Sequence, residues 1–433
     1  MAYDVAGYGA QGGLRESMVH VFWLSGMSCD GCSVAMLGAT NPSVEELVLD
    51  RVPDLPLVVL HHPMVSETSG HELMAPYAAA AEGSLGAPYI VVLEGSIPDD
   101  QPLSAGHLAA MGTVADWPRG ARLNRSANQP VRVTDWVMAL APGAAACMAI
   151  GTCATWGGIP AAAGNITGSM GLMDFLGAGY RSARGIPVVN VPGCAPQGDN
   201  FTETLTAIVR YLGGTRELPD FDELGRPGWL FDQTVHRHCP KAGYYEEGVF
   251  SEEPGDNQCL VEIGCWGPVV QCNIVERGAI NHMGGCMVAG GACIGCTMPG
   301  FPDKYSPFYK APPGSAISGG VSKVTGGGIR RLRRMSMRNA NSEPIWDRTV
   351  EGGPRLDDGG PTGWGRAHGA KNPLEKVNAH FYKKLQYHGS VHHGERNKKQ
   401  PQPKSLDILR QKGVDLEDST DVLQEHVITR EEL

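Results

Sequence analysis

Hydrophobic positions along this chain fall into short continuous runs separated by longer Ala-rich stretches, and the alternation is sustained from Met18 to about Leu212. The runs are rich in β-branched, Leu and aromatic residues. They predict strands at Val19 to Leu24, Leu57 to His61, Tyr89 to Leu93, Ala145 to Ile150 and Pro187 to Val191. The intervening stretches predict helices over 31–39, 71–81, 132–140 and 201–212. Strand followed by helix, repeated, is the pattern of a βαβ domain built on a parallel sheet. The segment from Ile97 to Asn128 is polar and turn-rich, and is expected to be surface loop.

After Leu212 the pattern weakens. Gly213 to Asp232 contains GG, ELPD and GRPGW and reads as a linker. The region that follows, to about Lys304, has so many Gly and Cys and so little periodicity that something other than apolar burial is expected to hold it. Beyond it the chain is polar, with few aliphatics except near Leu406 to Leu409 and Val414 to Val427, and extended structure ordered by a partner is expected there. The predicted organisation is an arm over 1–17, an α/β domain over 18–212, a second domain over 213–308 and a polar C-terminal tail over 309–433.

Composition narrows the classes. With 433 residues, 42% of them apolar, the chain is long enough to bury a large core without staples. Its 46 acidic against 36 basic side chains give a net charge of -10, which argues against a protein whose affinity depends on neutralising nucleic-acid phosphates. The run IRRLRR from Ile329 to Arg334 is therefore expected to meet acidic surface on a partner subunit. Apolar stretches such as Leu55 to Leu60 and Ala144 to Ile150 fall far below the roughly 20 residues of a transmembrane helix. The first residues show no basic segment ahead of an apolar run and no twin-arginine pair, so a cytoplasmic chain, peripheral to a membrane at most through partners, is the expectation.

Cysteine changes the picture most. Seven of the twelve cysteines fall between Cys239 and Cys296. In a reducing compartment such clustering points to metal ligands or catalytic thiols rather than disulfides. The first predicted strand runs into SGMSCDGCSVAML, placing Cys29 and Cys32 in a strand-to-helix loop, and Cys153 and Cys194 follow two later strands. Loops at the carboxyl ends of parallel strands converge on one crevice, so four thiols from three loops are expected to meet. Four thiolates suit either a cubane iron-sulfur cluster or a zinc ion. The second region supplies His236, Cys239, Cys259, Cys265, Cys272, Cys286, Cys293 and Cys296, so the whole chain offers three sets of four ligands. Cys147, inside an apolar strand, is left over and reads as a buried structural thiol.

The set SGxxCxxC, GTCATWGG, PGCAPQG, HRHCP with YYEEGVF, EIGCWGP and CIGCTMPGFPD, over roughly Met18 to Phe308, resembles the small subunit of nickel-iron hydrogenases, in feel closest to the cytoplasmic, actinobacterial-type uptake enzymes. The resemblance implies a flavodoxin-like parallel-sheet domain followed by an irregular iron-sulfur cluster-binding domain. It implies a proximal 4Fe-4S cluster on Cys29, Cys32, Cys153 and Cys194. A distal 4Fe-4S cluster would use His236, Cys239, Cys259 and Cys265, and a medial cluster Cys272, Cys286, Cys293 and Cys296. No catalytic residue is implied in this chain: hydrogen is cleaved at a nickel-iron centre in a large-subunit partner, and electrons pass through the three clusters to an acceptor protein or quinone. An assembly of two heterodimers or more is implied.

Departures from the family pattern bring their own expectations. Many members have Pro seven residues before the CxxC pair and a 3Fe-4S medial cluster, whereas this chain has Cys286 there, which predicts 4Fe-4S. Cys272 lies closer to Cys265 than in the commonest members. Gly31 and Gly158 stand where an oxygen-tolerant subclass has two extra cysteines, so that six-cysteine arrangement is not expected. Two other functions share parts of the pattern: the small subunit of a hydrogen-sensing regulatory hydrogenase, and a zinc-stabilised scaffold.

Overall fold

In the computed structural model the described residues are 18–309, apart from 100–105, 120–122, 124, 163, 164, 178, 223, 248, 254, 269, 304, 306 and 307. The arm expected over 1–17 and the tail beyond 309, with its basic run and His380, His388, His392 and His393, lie outside them.

Five parallel strands form the central sheet in the order β2-β1-β3-β6-β7: β1 (Met18–Ser25), β2 (Leu57–His61), β3 (Tyr89–Glu94), β6 (Ala146–Ile150) and β7 (Val189–Val191). The chain begins in the middle, steps to β2 at one edge and then crosses back past β1, which is the flavodoxin-like winding with its switch point between β1 and β3. Both faces are covered, so the central strands are largely apolar rather than alternating. Phe22, Leu24, Val91, Leu93, Cys147 and Ala149 point to one core, packed by Tyr77 of α3 (Gly70–Ala81), Trp136 and Leu140 of α4 (Val133–Leu140) and Leu172 of α6 (Leu172–Leu176). Val21, Trp23, Ile90, Val92, Met148 and Ile150 point to the other, covered by α1 (Gly31–Leu37), α2 (Val44–Val48) and α7 (Gly198–Leu212).

The predicted strands and long helices match these elements within a few residues. Three expectations are corrected. Within the segment from Ile97 to Asn128, β4 (Ala110–Thr113) pairs antiparallel with β5 (Pro130–Arg132). Ala109, Met111, Val114 and Trp117 pack on the first core there, so this is not simply surface loop. Its few apolar residues, too sparse to show a period, are anchors. The expected linker from Gly213 to Asp232 is also packed: Leu224 is buried, and α8 (Gly228–Phe231) places Trp229, Leu230 and Phe231 against the outer face of α7. Finally, the second region does have an apolar core, made by Val235, Leu260, Trp266, Val270, Met287, Met298, Phe301 and Tyr305 together with the sulfurs of Cys265 and Cys293. Among the described residues its helices are short, one turn in α9 (Val235–His238) and α11 (Ile274–Arg277) and under two in α10 (Ala242–Glu247).

Helix α7 joins the halves. Nearly every residue of it is buried, because one face lies on the sheet and the other on the cysteine-rich region. The second contact is polar. Glu203 accepts from the Trp229 indole at 2.8 Å and pairs with the buried Arg277 guanidinium, while Asn200 and Asn273 exchange two amide hydrogen bonds of 2.9 Å.

Candidate metal centres

Cys29 sits in the loop after β1, Cys32 in the first turn of α1, Cys153 in α5 (Gly151–Trp156) directly after β6, and Cys194 between β7 and α7. All four occupy the carboxyl end of the sheet, as the topology demands. Burial pushes the Cys32 thiol far up, and the Glu94 carboxylate and the thiols of Cys153, Cys29 and Cys194 push it further, so the four sulfurs form one electrostatic group. Burial likewise raises Cys153 to about 11, opposed by the Ile159 backbone N–H and reinforced by Cys194, Cys29 and Glu94. The approach depends on glycine at two places. Gly151 has φ +83°, and a Cβ there would collide with the Cys32 sulfur. Gly158 has φ +57°, and a Cβ there would lie 2.8 Å from the Cys153 sulfur, so this backbone has no room for a cysteine at 158.

Across α7, Cys272, Cys286, Cys293 and Cys296 form a second group. Burial pushes Cys272 up to about 12, with Cys286 adding to the shift and Gln197 donating weakly to its sulfur at 3.9 Å. Burial also holds Cys296 and Cys293 well above the usual thiol range, and Cys272 acts on both. Cys286, the residue in place of proline, is exposed, and its thiol acts on Cys272 and Cys296.

The third group lines a small cleft, open on one side, whose wall includes His236, Cys239, Cys259, Cys265 and Lys241. His236 lies in the one-turn α9, its backbone N–H donating to the Gly267 carbonyl at 3.0 Å and its ring edge-on to Tyr245 at 4.5 Å. Burial pushes Cys259 up to about 12, opposed by the Val261 N–H, with Cys265 and Cys239 raising it further and Lys241 lowering it. The Cys265 sulfur accepts from the Cys293 N–H at 3.3 Å, which links this group to the second.

Burial, reinforced at most of them by neighbouring thiols, disfavours the ionised forms of Cys32, Cys153, Cys194, Cys259, Cys265, Cys272, Cys286, Cys293 and Cys296, with Lys241 opposing it at Cys259 and Cys265. A cationic iron-sulfur core is the kind of group that restores the balance, because the ligating thiolates neutralise it. Among the described residues, no three His, Cys, Asp or Glu side chains are arranged to hold a single metal ion directly. Cys147 stays apart, fully buried, raised to about 12 by burial and within 3.2 Å of the Tyr180 hydroxyl.

Sequence reasoning did not single out Glu94 or Thr152. Glu94 ends the apolar strand β3, is fully buried, and accepts from the N–H groups of Cys32 at 2.9 Å and Ser33 at 3.1 Å, the Trp23 indole at 3.0 Å and the Ser33 hydroxyl. A charged residue closing an otherwise apolar buried run, on the crevice side, was the available signal. Thr152, between Gly151 and Cys153, carried none.

Comparison with known proteins agrees. Residues 231–309 match the family of the C-terminal part of NiFe/NiFeSe hydrogenase small subunits, and residues 29–208 match the NADH ubiquinone oxidoreductase 20 kDa subunit family. The periplasmic [NiFeSe] hydrogenase small subunit of Desulfomicrobium baculatum is 34% identical over 293 residues, covering 67% of this chain and 87% of that one. The hydrogenase-2 small chain of Escherichia coli K12 is 30% identical over 339 residues, covering 73% and 81%. Among solved structures, the actinobacterial-type NiFe-hydrogenase from Ralstonia eutropha H16 is 47% identical with a TM-score of 0.68, covering 76% of this chain and 93% of that one. Among the described residues no helix is long and apolar enough to cross a membrane. The winding of the sheet, the gathered thiols and these relatives together make the chain a member of the nickel-iron hydrogenase small-subunit family, the electron-transferring part of a hydrogenase.

Proposed function

We propose that this chain conducts electrons released by hydrogen oxidation in a large-subunit partner to an acceptor, through three iron-sulfur clusters in the direction of uptake. Cys29, Cys32, Cys153 and Cys194 would hold the proximal cluster. Cys272, Cys286, Cys293 and Cys296 would hold a medial 4Fe-4S cluster, and His236, Cys239, Cys259 and Cys265 the distal one. When bound, such clusters supply one-electron carriers whose potentials follow ligand type, hydrogen bonding and burial. The protein's own contribution is to hold sulfur donors in place, exclude water around Cys265 and Cys293, and aim N–H groups and the Glu94 carboxylate at the donors. A histidine among the distal donors leaves that set less negative than four thiolates, which favours a higher potential at the exit.

The observation that carries the reading is the convergence of Cys29, Cys32, Cys153 and Cys194 at the carboxyl end of the sheet, with Cys272, Cys293 and Cys296 acting on one another and His236, Cys239, Cys259 and Cys265 lining one open cleft. Iron and acid-labile sulfide analysis of the anaerobically purified complex tests it, with about twelve irons expected for three 4Fe-4S clusters. A colourless preparation overturns it. Rapid dye reduction under hydrogen separates uptake from sensing, since a sensor turns over very slowly and hands its signal to a bound kinase.

A further inference from the structure

Thr152 is 1% exposed, and its hydroxyl is shared among three loops that each carry a proposed cluster ligand. It accepts the Gly193 N–H at 3.0 Å, one residue before Cys194, and donates to the backbone carbonyl of Cys296. Its own N–H donates to the Gly193 carbonyl at 2.9 Å, and Cys153 is its neighbour in α5. The loop it holds is the loop that faces the second group, where the Cys194 backbone acts on the Cys296 thiol. A second tie runs alongside, from the Trp156 indole to the Thr297 carbonyl at 3.1 Å.

We infer that Thr152 is a positioning residue for electron transfer, its hydroxyl fixing the Cys194 to Cys296 contact through which the proximal and medial centres communicate. The inference rests on the ligand sets proposed above. The geometry is specific to a hydroxyl: one oxygen must accept from Gly193 and donate to Cys296 at once, which an apolar side chain of the same shape cannot do and serine can. With the hydroxyl gone, the Cys296 carbonyl and the Gly193 N–H lose a shared partner in a buried seam, and the two loops are free to separate.

The test compares wild type, Thr152→Val and Thr152→Ser in the complete complex, purified anaerobically. Three readouts are taken: iron and sulfide content, the spin-spin interaction between the reduced centres seen by electron paramagnetic resonance, and turnover. Turnover is measured twice, as hydrogen oxidation with a dye and as hydrogen-deuterium exchange, which needs no electrons to leave through this chain. Thr152→Val is expected to keep its iron and its exchange rate, to show a changed spin-spin interaction, and to lose hydrogen oxidation roughly tenfold, within the hundredfold that a 1 Å misplacement of reacting partners can cost. Thr152→Ser is expected to restore both signals. A valine variant identical to wild type in spectrum and oxidation rate overturns the inference, as does one that loses iron, which would make Thr152 a folding residue. Wild-type complex without iron overturns the ligand assignment itself, a result that is plainly distinct from either.

Discussion

Replacing Glu94 by Gln removes one charge and almost no volume at the point where β3 meets the proximal thiols. In the native protein the carboxylate takes four hydrogen bonds, from the N–H groups of Cys32 and Ser33, the Trp23 indole and the Ser33 hydroxyl, and none of its surface reaches solvent. The Ser33 oxygen also lies 3.0 Å from His62 Nε2, and because His62 Nδ1 accepts from the Met64 N–H, Nε2 is the donor. Every group around Glu94 therefore points a hydrogen at it. A Gln amide keeps one accepting oxygen and turns two hydrogens toward donors, leaving at least one buried donor unpaired, at a cost of about 1 to 3 kcal/mol in addition to weaker bonds at the remaining oxygen. At about 2 to 4 °C per kcal/mol, a total near 3 kcal/mol lowers the unfolding midpoint of the complex by roughly 6 to 12 °C.

The electronic effect is separable from the stability effect. A unit charge about 8 Å from a redox centre, in an effective dielectric of about 20, is worth on the order of 2 kcal/mol. At about 59 mV per tenfold change for one electron, its loss raises the proximal potential by on the order of 90 mV. Redox-poised paramagnetic resonance of the anaerobic complex reads this directly, with iron analysis confirming that the cluster is retained. A fully loaded Glu94→Gln protein with an unshifted proximal potential would refute the electrostatic reasoning, whatever its melting temperature.

Three further outcomes follow from the same structure. Arg277→Met leaves the Glu203 carboxylate buried beside Trp229 without its guanidinium, and is expected to destabilise the protein by about 3 to 5 kcal/mol in urea unfolding, with Glu203→Gln added on top recovering part of the loss. Cys286→Ala is expected to convert the medial centre to a three-iron form, giving a paramagnetic signal when oxidised that wild type lacks; the same signal in both proteins would sink the four-iron assignment. His61 is pushed down from 6.5 to about 4 by burial and by the His20 ring stacked on it, with 2.8 Å between their nitrogens. Its folded value is the lower one, so the unfolded chain takes up the proton first as pH falls. The stability it contributes is complete above about 6.5 and is lost toward about 4. Thermal midpoints measured between pH 7.5 and 5.5 should therefore fall less steeply in His61→Asn than in wild type.

Legibility in the sequence followed the reach of the interactions. The sheet was readable because β1, β3 and β6 are buried on both faces and so appear as largely apolar runs, and Cys29, Cys153 and Cys194 each follow a strand of this sheet closely. Isolated anchors such as Trp117 and Trp229 were not readable. Each fills a gap made by distant elements, and a single aromatic between turns leaves no period to detect. The second region misled for a related reason. Its core is assembled from residues as far apart as Val235 and Tyr305, with cysteine sulfurs among the apolar contacts, so neither strand nor helix spacing marks it.

For the same reason the donors were visible and their supports were not. Thiols and a histidine reveal themselves by chemistry alone, since few other roles account for such spacing. Glu94, Thr152 and Gln197 have ordinary side chains, and only the fold places a carboxylate beneath Cys32, a hydroxyl between Gly193 and Cys296, and an amide beside Cys272. Donors fix which carrier is held and part of its potential, while hydrogen bonds and charge around them tune that potential and its coupling to the next. Substitutions of the supporting residues should therefore change rates and potentials while the iron content stays constant.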